Sequence, residues 1–247
     1  MRMKAIVLLS AGIHPRSGAP MPVAAELQAI ALARRLGYEV SGLHAGPASG
    51  AVADCLGHGL EHITWLNIDA ADDPLAAISA ELALRKPDLV LAGRRGQGGA
   101  DTGMLPYRIA RAGNMPIAAD AVAITPQEDG FAVLQALPRG ARRLLSLSSP
   151  AVITVHESAP PAMPFVYRAR LTGRVSEKPG LKAPVPTIMF EERPYRRRPK
   201  LIGHAGGSAE ERLRAATEQK SAGGKIMINP APAEAAAAIL DYLARVR

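Results

Sequence analysis

At 247 residues and 48% hydrophobic side chains, the chain can bury a full core and reads as one large domain with extensions. No apolar run is long enough to cross a bilayer, and the run after the basic start, Ala5 to Leu9, is a first strand rather than a signal peptide. One cysteine, Cys55, excludes an internal disulfide and a cysteine-rich metal site, while the net charge of +8 raises the question of nucleic acid.

In chain order, Ala5 to Leu9 is followed by a loop from Ala11 to Met21 rich in glycine and proline. Val23 to Leu36 is a helix ended by Gly37, and Glu39 to Ala45 is a second strand turning at Gly46 and Pro47. A short helix over Ala51 to Gly59 precedes a third strand, His62 to Asn67. Asp72 or Asp73 caps a helix from Pro74 to Arg85, with proline in the first turn where its missing N–H costs nothing. Leu89 to Ala92 is a fourth strand, too short for a helix, and Ile117 to Ile124 is a fifth. Between these two lie a glycine-rich loop and a helix from Gly103 to Ala112, capped by Asp101 or Thr102.

Strict alternation of five strands and four helices predicts a doubly wound, mainly parallel five-stranded sheet of Rossmann-like, adenine-nucleotide alpha-hydrolase-like type. Phe131 to Leu137, Arg142 to Leu147 and Ala151 to Val155 are further short β runs, expected as an antiparallel or mixed extension. A proline-rich loop and a basic segment, Val166 to Arg174, follow. Residues 1–175 are therefore expected to form the nucleotide-binding domain, with a loop at 156–174, and residues 176–247 an arm. The arm carries Arg193 to Lys200, a helix over Ala209 to Lys220 capped by Ser208, a brief strand at Lys225 to Ile228, and a final amphipathic helix, Ala233 to Val246. An arm of this kind grips its own domain or another subunit.

Ligands of doubly wound sheets sit beyond the C-terminal strand ends, where the strand order switches. Ser10 to His14, Ala45 to Ala48 and Gly93 to Thr102 compete for that place. The last loop, with Gly93, Gly96, Gly98 and Gly99 before a helix N-terminus, has the form that binds phosphate through converging backbone N–H groups. It is neither a Walker loop nor a clean dinucleotide fingerprint. Elsewhere the chemistry is sparse. The six histidines lack ligand spacing, so no metal is expected. Cys55 reads as a small core residue, and the serines from Ser146 to Ser149 lack a nucleophile elbow. The arginine excess has no aromatic interleaving, so neither nucleic-acid binding nor membrane insertion is expected.

Several segments together resemble the β subunit of electron-transfer flavoproteins. They are LHAGP at Leu43 to Pro47, the helix ELQAIALARRL from Glu26, and the stretch VLAGRRGQGGADTGMLPYRIARAGNMPIAADAVAI from Val90. LQALPRGARRLLSLSSPAVITV from Leu134 and MPFVYRAR at Met163 to Arg170 complete the set. The resemblance runs from Lys4 to about Arg174, and more loosely to the end. It implies an electron carrier rather than an enzyme. Its α subunit holds most of an FAD that shuttles electrons from a flavin-containing dehydrogenase to a membrane quinone oxidoreductase or another acceptor.

The resemblance also implies that this chain buries AMP, or, in the bifurcating kind, a second FAD at the same place; AMP is the expectation here. Contacts carried over by position fall on Leu8, Ala45, Gly46, Gly93, Arg94, Gly96, Gln97, Gly98, Gly99, Ala100, Asp101, Thr102 and Gly103. Docking on the dehydrogenase falls on Met163, with Pro164, Arg168 and Arg170 beside it. The glycine loop is about two residues shorter than the family's and lacks its carboxylates, and Arg94 and Arg95 can instead neutralise phosphate. The expected compartment is the cytoplasm. A stand-alone nucleotide-binding protein of the universal-stress type shares the five-stranded core, but it has no use for the arm.

Overall fold

The computed structural model of the chain describes residues 3–96, 102–184, 208–210 and 227–246. They divide into two compact units, Met1–Thr187 and Ile188–Arg247. The first unit opens with β1 (Lys4–Leu9), a small hairpin of β2 (Gly12–Ile13) and β3 (Pro20–Met21), and α1 (Ala24–Arg35). Next come β4 (Glu39–Gly46), a 3-10 turn (Ala53–His58), β5 (His62–Asn67), α2 (Pro74–Arg85), β6 (Leu89–Gly93) and α3 (Leu105–Ala112). Then follow β7 (Ile117–Gln127), β8 (Gly130–Ala136), β9 (Arg142–Ser148), β10 (Ala151–Val155), α4 (Tyr167–Thr172) and β11 (Arg174–Pro179).

These strands form one nine-stranded sheet, ordered β11-β5-β4-β1-β6-β10-β7-β8-β9. All pairs from β11 to β7 are parallel, and β7-β8-β9 is antiparallel. The α/β class and the antiparallel extension are as expected, but the parallel part holds seven strands rather than five. β10 is not part of the extension: it lies between β6 and β7, in register Ala151 to Leu89 and Val155 to Gly93. All five of its residues are buried, as a central parallel strand requires. β11, which the sequence reading divides between the end of the basic segment at Arg174 and the start of the arm at 176, closes the other edge against β5, pairing Arg174 with His62 and Pro179 with Asn67. Its residues are half-buried or exposed, which suits an edge.

The period-2 alternation of β1 divides the core. Ala5, Val7 and Leu9 face the layer that contains Ala29, Ile30 and Ala33 of α1 and Leu56 of the 3-10 turn. Ile6 and Leu8 face the opposite layer, with Ile78 and Leu82 of α2 and Ile109 of α3. In the second unit, α5 (Pro232–Val246) begins one residue before its expected start, with proline at its first position. The expected strand at Lys225 to Ile228 is not formed at its described residues, Met227 and Ile228. The basic run Arg193 to Lys200 and nearly all of the helix expected over Ala209 to Lys220 lie outside the described residues.

Asp73 is the residue that caps α2, its Oδ1 accepting from the Leu75 N–H at 3.0 Å. The same carboxylate takes both terminal nitrogens of Arg108, at 3.3 and 2.6 Å, and so ties α3 to α2. Burial raises the Asp73 carboxyl, but Arg108 and the Leu75 N–H outweigh it and hold the group below the usual range. Asp73→Ala should therefore cost about 2 kcal/mol in urea unfolding, through the lost cap and the orphaned guanidinium. Asp73→Asn keeps a capping oxygen and should cost less. Because the folded-state value is depressed, the charge stabilises above the ordinary aspartate range. The difference between wild type and Asp73→Asn should close as pH falls through the depressed value.

Candidate functional site

β1 is the strand where the winding reverses: β4 lies on one side of it and β6, reached after β5 and α2, on the other. Their parallel registers, Leu8 to Leu43 and Val7 to Leu91, bring the C-terminal ends of three strands together. Of the predicted site residues, Leu8 is buried beside Leu43, Ala45 is half-buried against the same layer, and Gly46 ends β4. The Gly46 carbonyl accepts from Trp65 Nε1 at 2.8 Å, which fixes the turn on β5.

The glycines leading out of β6 are explained by what lies against them. A Cβ on Gly93 would stand 3.3 Å from Glu26 Cγ and 3.4 Å from Ala25 Cβ, so this glycine admits the first turn of α1. On Gly96 it would stand 3.3 Å from Ser10 Cβ. Gly103 has φ +68, and a Cβ there would lie 3.1 Å from the Arg94 carbonyl oxygen. The entry to α3 therefore folds back over the exit from β6. Thr102 Oγ1 accepts from the Met104 N–H at 3.3 Å, a turn just ahead of α3 and not a cap within it; α3 starts at Leu105, later than the expected Gly103. Gln97, Gly98, Gly99, Ala100 and Asp101 lie outside the described residues.

Arg94 pairs through Nε with Asp120 Oδ1 of β7, at 3.3 Å. Asp120 has φ +56, unusual for a residue with a side chain, and its N–H donates to Thr154 Oγ1 of β10 at 3.0 Å. A carboxylate thus faces the loop from β7, a position with no signal in the sequence. Arg95 is exposed.

Two further residues were not legible as site residues. Glu26, 2% exposed, accepts the Ser10 N–H on both oxygens, at 3.0 and 2.9 Å, and shares a 2.5 Å bond with Ser10 Oγ. Burial pushes its carboxyl up to about 8, with the Ser10 bonds pulling the other way. His44, 3% exposed, places Nδ1 2.9 Å from the Leu9 carbonyl oxygen and Nε2 3.0 Å from that of Ala48. Burial pushes the imidazole down, and the two carbonyls oppose the shift. The signal for Glu26 was its place on the buried face of α1, four residues before Ile30 and seven before Ala33. Cys55 is buried, as expected, and burial pushes its thiol far up, with the Glu26 and Asp54 charges adding to the shift. Among the described residues no cluster has the make-up of a metal site.

The predicted docking segment forms a separate structure, seated on the 3-10 turn. His58 Nδ1 lies 2.7 Å from the Met163 carbonyl oxygen, and the Val166 N–H donates to the Gly57 carbonyl at 2.8 Å. The Phe165 ring lies against Gly57 and tilts at 60° to the His58 ring, 5.3 Å away. Arg170 Nε pairs with Asp54 at 2.9 Å, so its charge is used internally. Met163, at 38% exposure, rests its sulfur near Gly59, while Pro164 and Arg168 are exposed.

Comparison with known proteins agrees with this architecture along nearly the whole chain. The electron transfer flavoprotein domain matches residues 18–188. An electron transfer flavoprotein subunit beta from Chromohalobacter salexigens is 32% identical over 250 residues, covering 98% of this chain and 94% of that protein. With its strand ends, glycine loop and seated 163–170 segment in one chain, the protein belongs to the electron transfer flavoprotein family, among its beta subunits.

Proposed function

We propose that this chain is the nucleotide-holding subunit of a two-subunit electron carrier, paired with an α subunit that holds most of an FAD. The observation that carries the reading is the full-length likeness to a beta subunit, joined to three strand ends that meet where the sheet reverses, with Gly93, Gly96 and Gly103 beside them. The bound flavin supplies the redox chemistry, taking electrons from a flavin-containing dehydrogenase and passing them to a quinone oxidoreductase or another acceptor. This chain supplies position and electrostatics and needs no acid, base or nucleophile of its own. It works in the cytoplasm. No helix among the described residues is long and apolar enough to cross a membrane.

The second ligand of this reading is AMP. The residues present suit an adenine nucleotide: Gly93, Gly96 and Gly103 turn their side without a Cβ toward α1, Ser10 and the Arg94 carbonyl at the two ends of the loop, and a glycine-rich loop ahead of a helix is the form that takes phosphate. Gly93, Arg94 and Gly96 would hold the phosphate from one side of the loop and Thr102 and Gly103 from the other. Gln97 to Asp101 complete the loop, and Leu8, Ala45 and Gly46 would line the strand ends. Arg94 pairs with Asp120 through Nε, and in this reading its terminal nitrogens take the anion. In this reading the nucleotide-binding domain, expected over residues 1–175, runs on through β11 to Pro179, and the residues after it are the arm that docks on the α subunit. Met163, Pro164 and Arg168 meet the dehydrogenase, with Arg170 bracing them through Asp54.

Denaturing the protein together with its co-purifying partner and identifying the released nucleotides tests this. One AMP and one FAD per pair are expected. Two FADs and no AMP would replace AMP by a second flavin, and a chain that purifies alone without nucleotide would oppose the whole reading. Gly103→Ala should lower nucleotide retention. It should also destabilise the chain by about 1–2 kcal/mol in thermal melts, since alanine pays for a left-handed backbone.

A further inference from the structure

The tip of β1 is held from two sides by buried ionisable side chains that lie far from it in sequence. On one side His44 faces the Leu9 carbonyl, and through its second nitrogen the Ala48 carbonyl, linking the β1 tip to the turn after β4. On the other side Glu26 receives the Ser10 N–H and shares the Ser10 hydroxyl. Glu26 also lies directly beneath Gly93, and Ser10 lies against Gly96. Three of the walls assigned above to the nucleotide therefore meet on these two residues. The tip's polar backbone groups are thereby spent inside the protein, so both residues act through the walls and not on a ligand.

We propose that Glu26 and His44 are positioning residues of the nucleotide site, His44 setting the gap between the β1 tip and the β4 turn, and Glu26 holding the tip under the glycine loop as a protonated carboxyl whose ionisation loosens the nucleotide. The inference rests on the reading of this site as a nucleotide site. The geometry accommodates a neutral acid: Oε2 accepts the Ser10 N–H at 2.9 Å, while Oε1 and the Ser10 hydroxyl, 2.5 Å apart, share one bond that holds whether the hydroxyl donates to a carboxylate or a protonated Oε1 donates to the hydroxyl oxygen. Ionised, Glu26 would place an uncompensated negative charge beneath a loop that has to receive phosphate.

The charged and titratable groups around it do not offset that charge. Among the described residues no arginine, lysine or histidine forms an ion pair with Glu26. On the 3-10 turn, the Cys55 thiol is pushed up and stays neutral, and Asp54 is held by Arg170. His44 on β4 is pushed down, Arg94 is engaged by Asp120, and Arg95 is exposed. Burial raises Glu26 to about 8, so its proton is present at neutral pH and leaves to solvent above it. Binding a phosphate above that pH must draw a proton back.

The test titrates AMP into the full chain with its co-purifying partner, cleared of bound nucleotide, from about pH 7 to 9.5, above the second phosphate ionisation near 6. The expected result is a dissociation constant rising toward about tenfold per pH unit above pH 8. Glu26→Gln, which keeps an acceptor for the Ser10 N–H and a donor for the hydroxyl, should bind as wild type does at pH 7 and lose the slope. His44→Gln should bind more weakly at every pH and keep the slope. An infrared carboxylic-acid band that titrates near pH 8 without ligand, and is missing from Glu26→Gln, should accompany this. Affinity independent of pH in wild type, a slope retained in Glu26→Gln, or no such band would overturn the inference while leaving the nucleotide reading intact. Failure of wild type to bind AMP at any pH would overturn the nucleotide reading and this inference with it.

Discussion

The reversal of winding at β1 is the constraint on which the rest of the first unit depends. Parallel strands need crossover helices, and right-handed crossovers put those helices on opposite faces when the chain moves in opposite directions from a central strand. From β1 the chain goes out to β4 and β5, and then returns past β1 to β6. α1 accordingly packs in the layer of Ala5, Val7 and Leu9, and α2 in that of Ile6 and Leu8. The first turn of α1 has to pass beneath the exit of β6, and it can do so because position 93 has no Cβ. The glycine at the root of the loop thus answers a packing demand from α1 before any ligand is considered.

That reversal also creates a polar problem. Strand ends in the middle of a sheet leave backbone groups with no ladder partner, and burying them unpaired is costly. Here the missing partners are Glu26 and His44, set among apolar neighbours such as Leu9 and Cys55. Both are driven toward their neutral forms by burial. The other buried carboxylates, Asp73 and Glu81, have cations instead: Arg108 for the first, Lys178 and Arg85 for the second. The contrast is chemical. Away from the strand ends the buried carboxylates are paired with cations, while among the described residues Glu26 has no counter-charge.

Much of this fold was legible because burial imposes periodicity. The continuous apolar runs of β1 and β6 and the Asp-Pro start of α2 all reached the structure nearly unchanged. β10 was misplaced for a physical reason: a largely apolar five-residue strand suits either the middle of a parallel sheet or an extension, and its neighbours are set by contacts 34 to 62 residues away, such as Val155 with Ala121 and Val152 with Val90. β11 was missed because an edge strand needs no apolar pattern, and RVSEKP has little. Leu8, Ala45, Gly46 and Gly93 stand at the strand ends as expected. His44 stands in the sequence at a strand end facing the site, but its role and that of Glu26 come from partners 35 and 16 residues distant, chiefly backbone atoms, which carry no signature of residue type. Asp120 escaped because its partner, the Arg94 side chain, lies on another strand's exit.

In the 163–170 segment the side chain that the sequence offers to a partner also packs within its own chain. A flexible methionine between prolines suggests a side chain held out for a partner. In the structure its sulfur leans on Gly59 and its carbonyl is taken by His58. Phe165 fills the space left by the missing side chain of Gly57, and Gly173 closes on Leu56. The loop is therefore preformed on the 3-10 turn, which lowers the ordering cost of any contact it makes. The apolar groups left outward are Val166, Tyr167 and Leu171, at 52%, 66% and 64% exposure, with Tyr167 and Leu171 one turn apart on α4. The seat that fixes Met163 and Phe165 is thus also what presents this second row. A rigid base under an exposed apolar edge is the arrangement in which a small contact can be both specific and readily released.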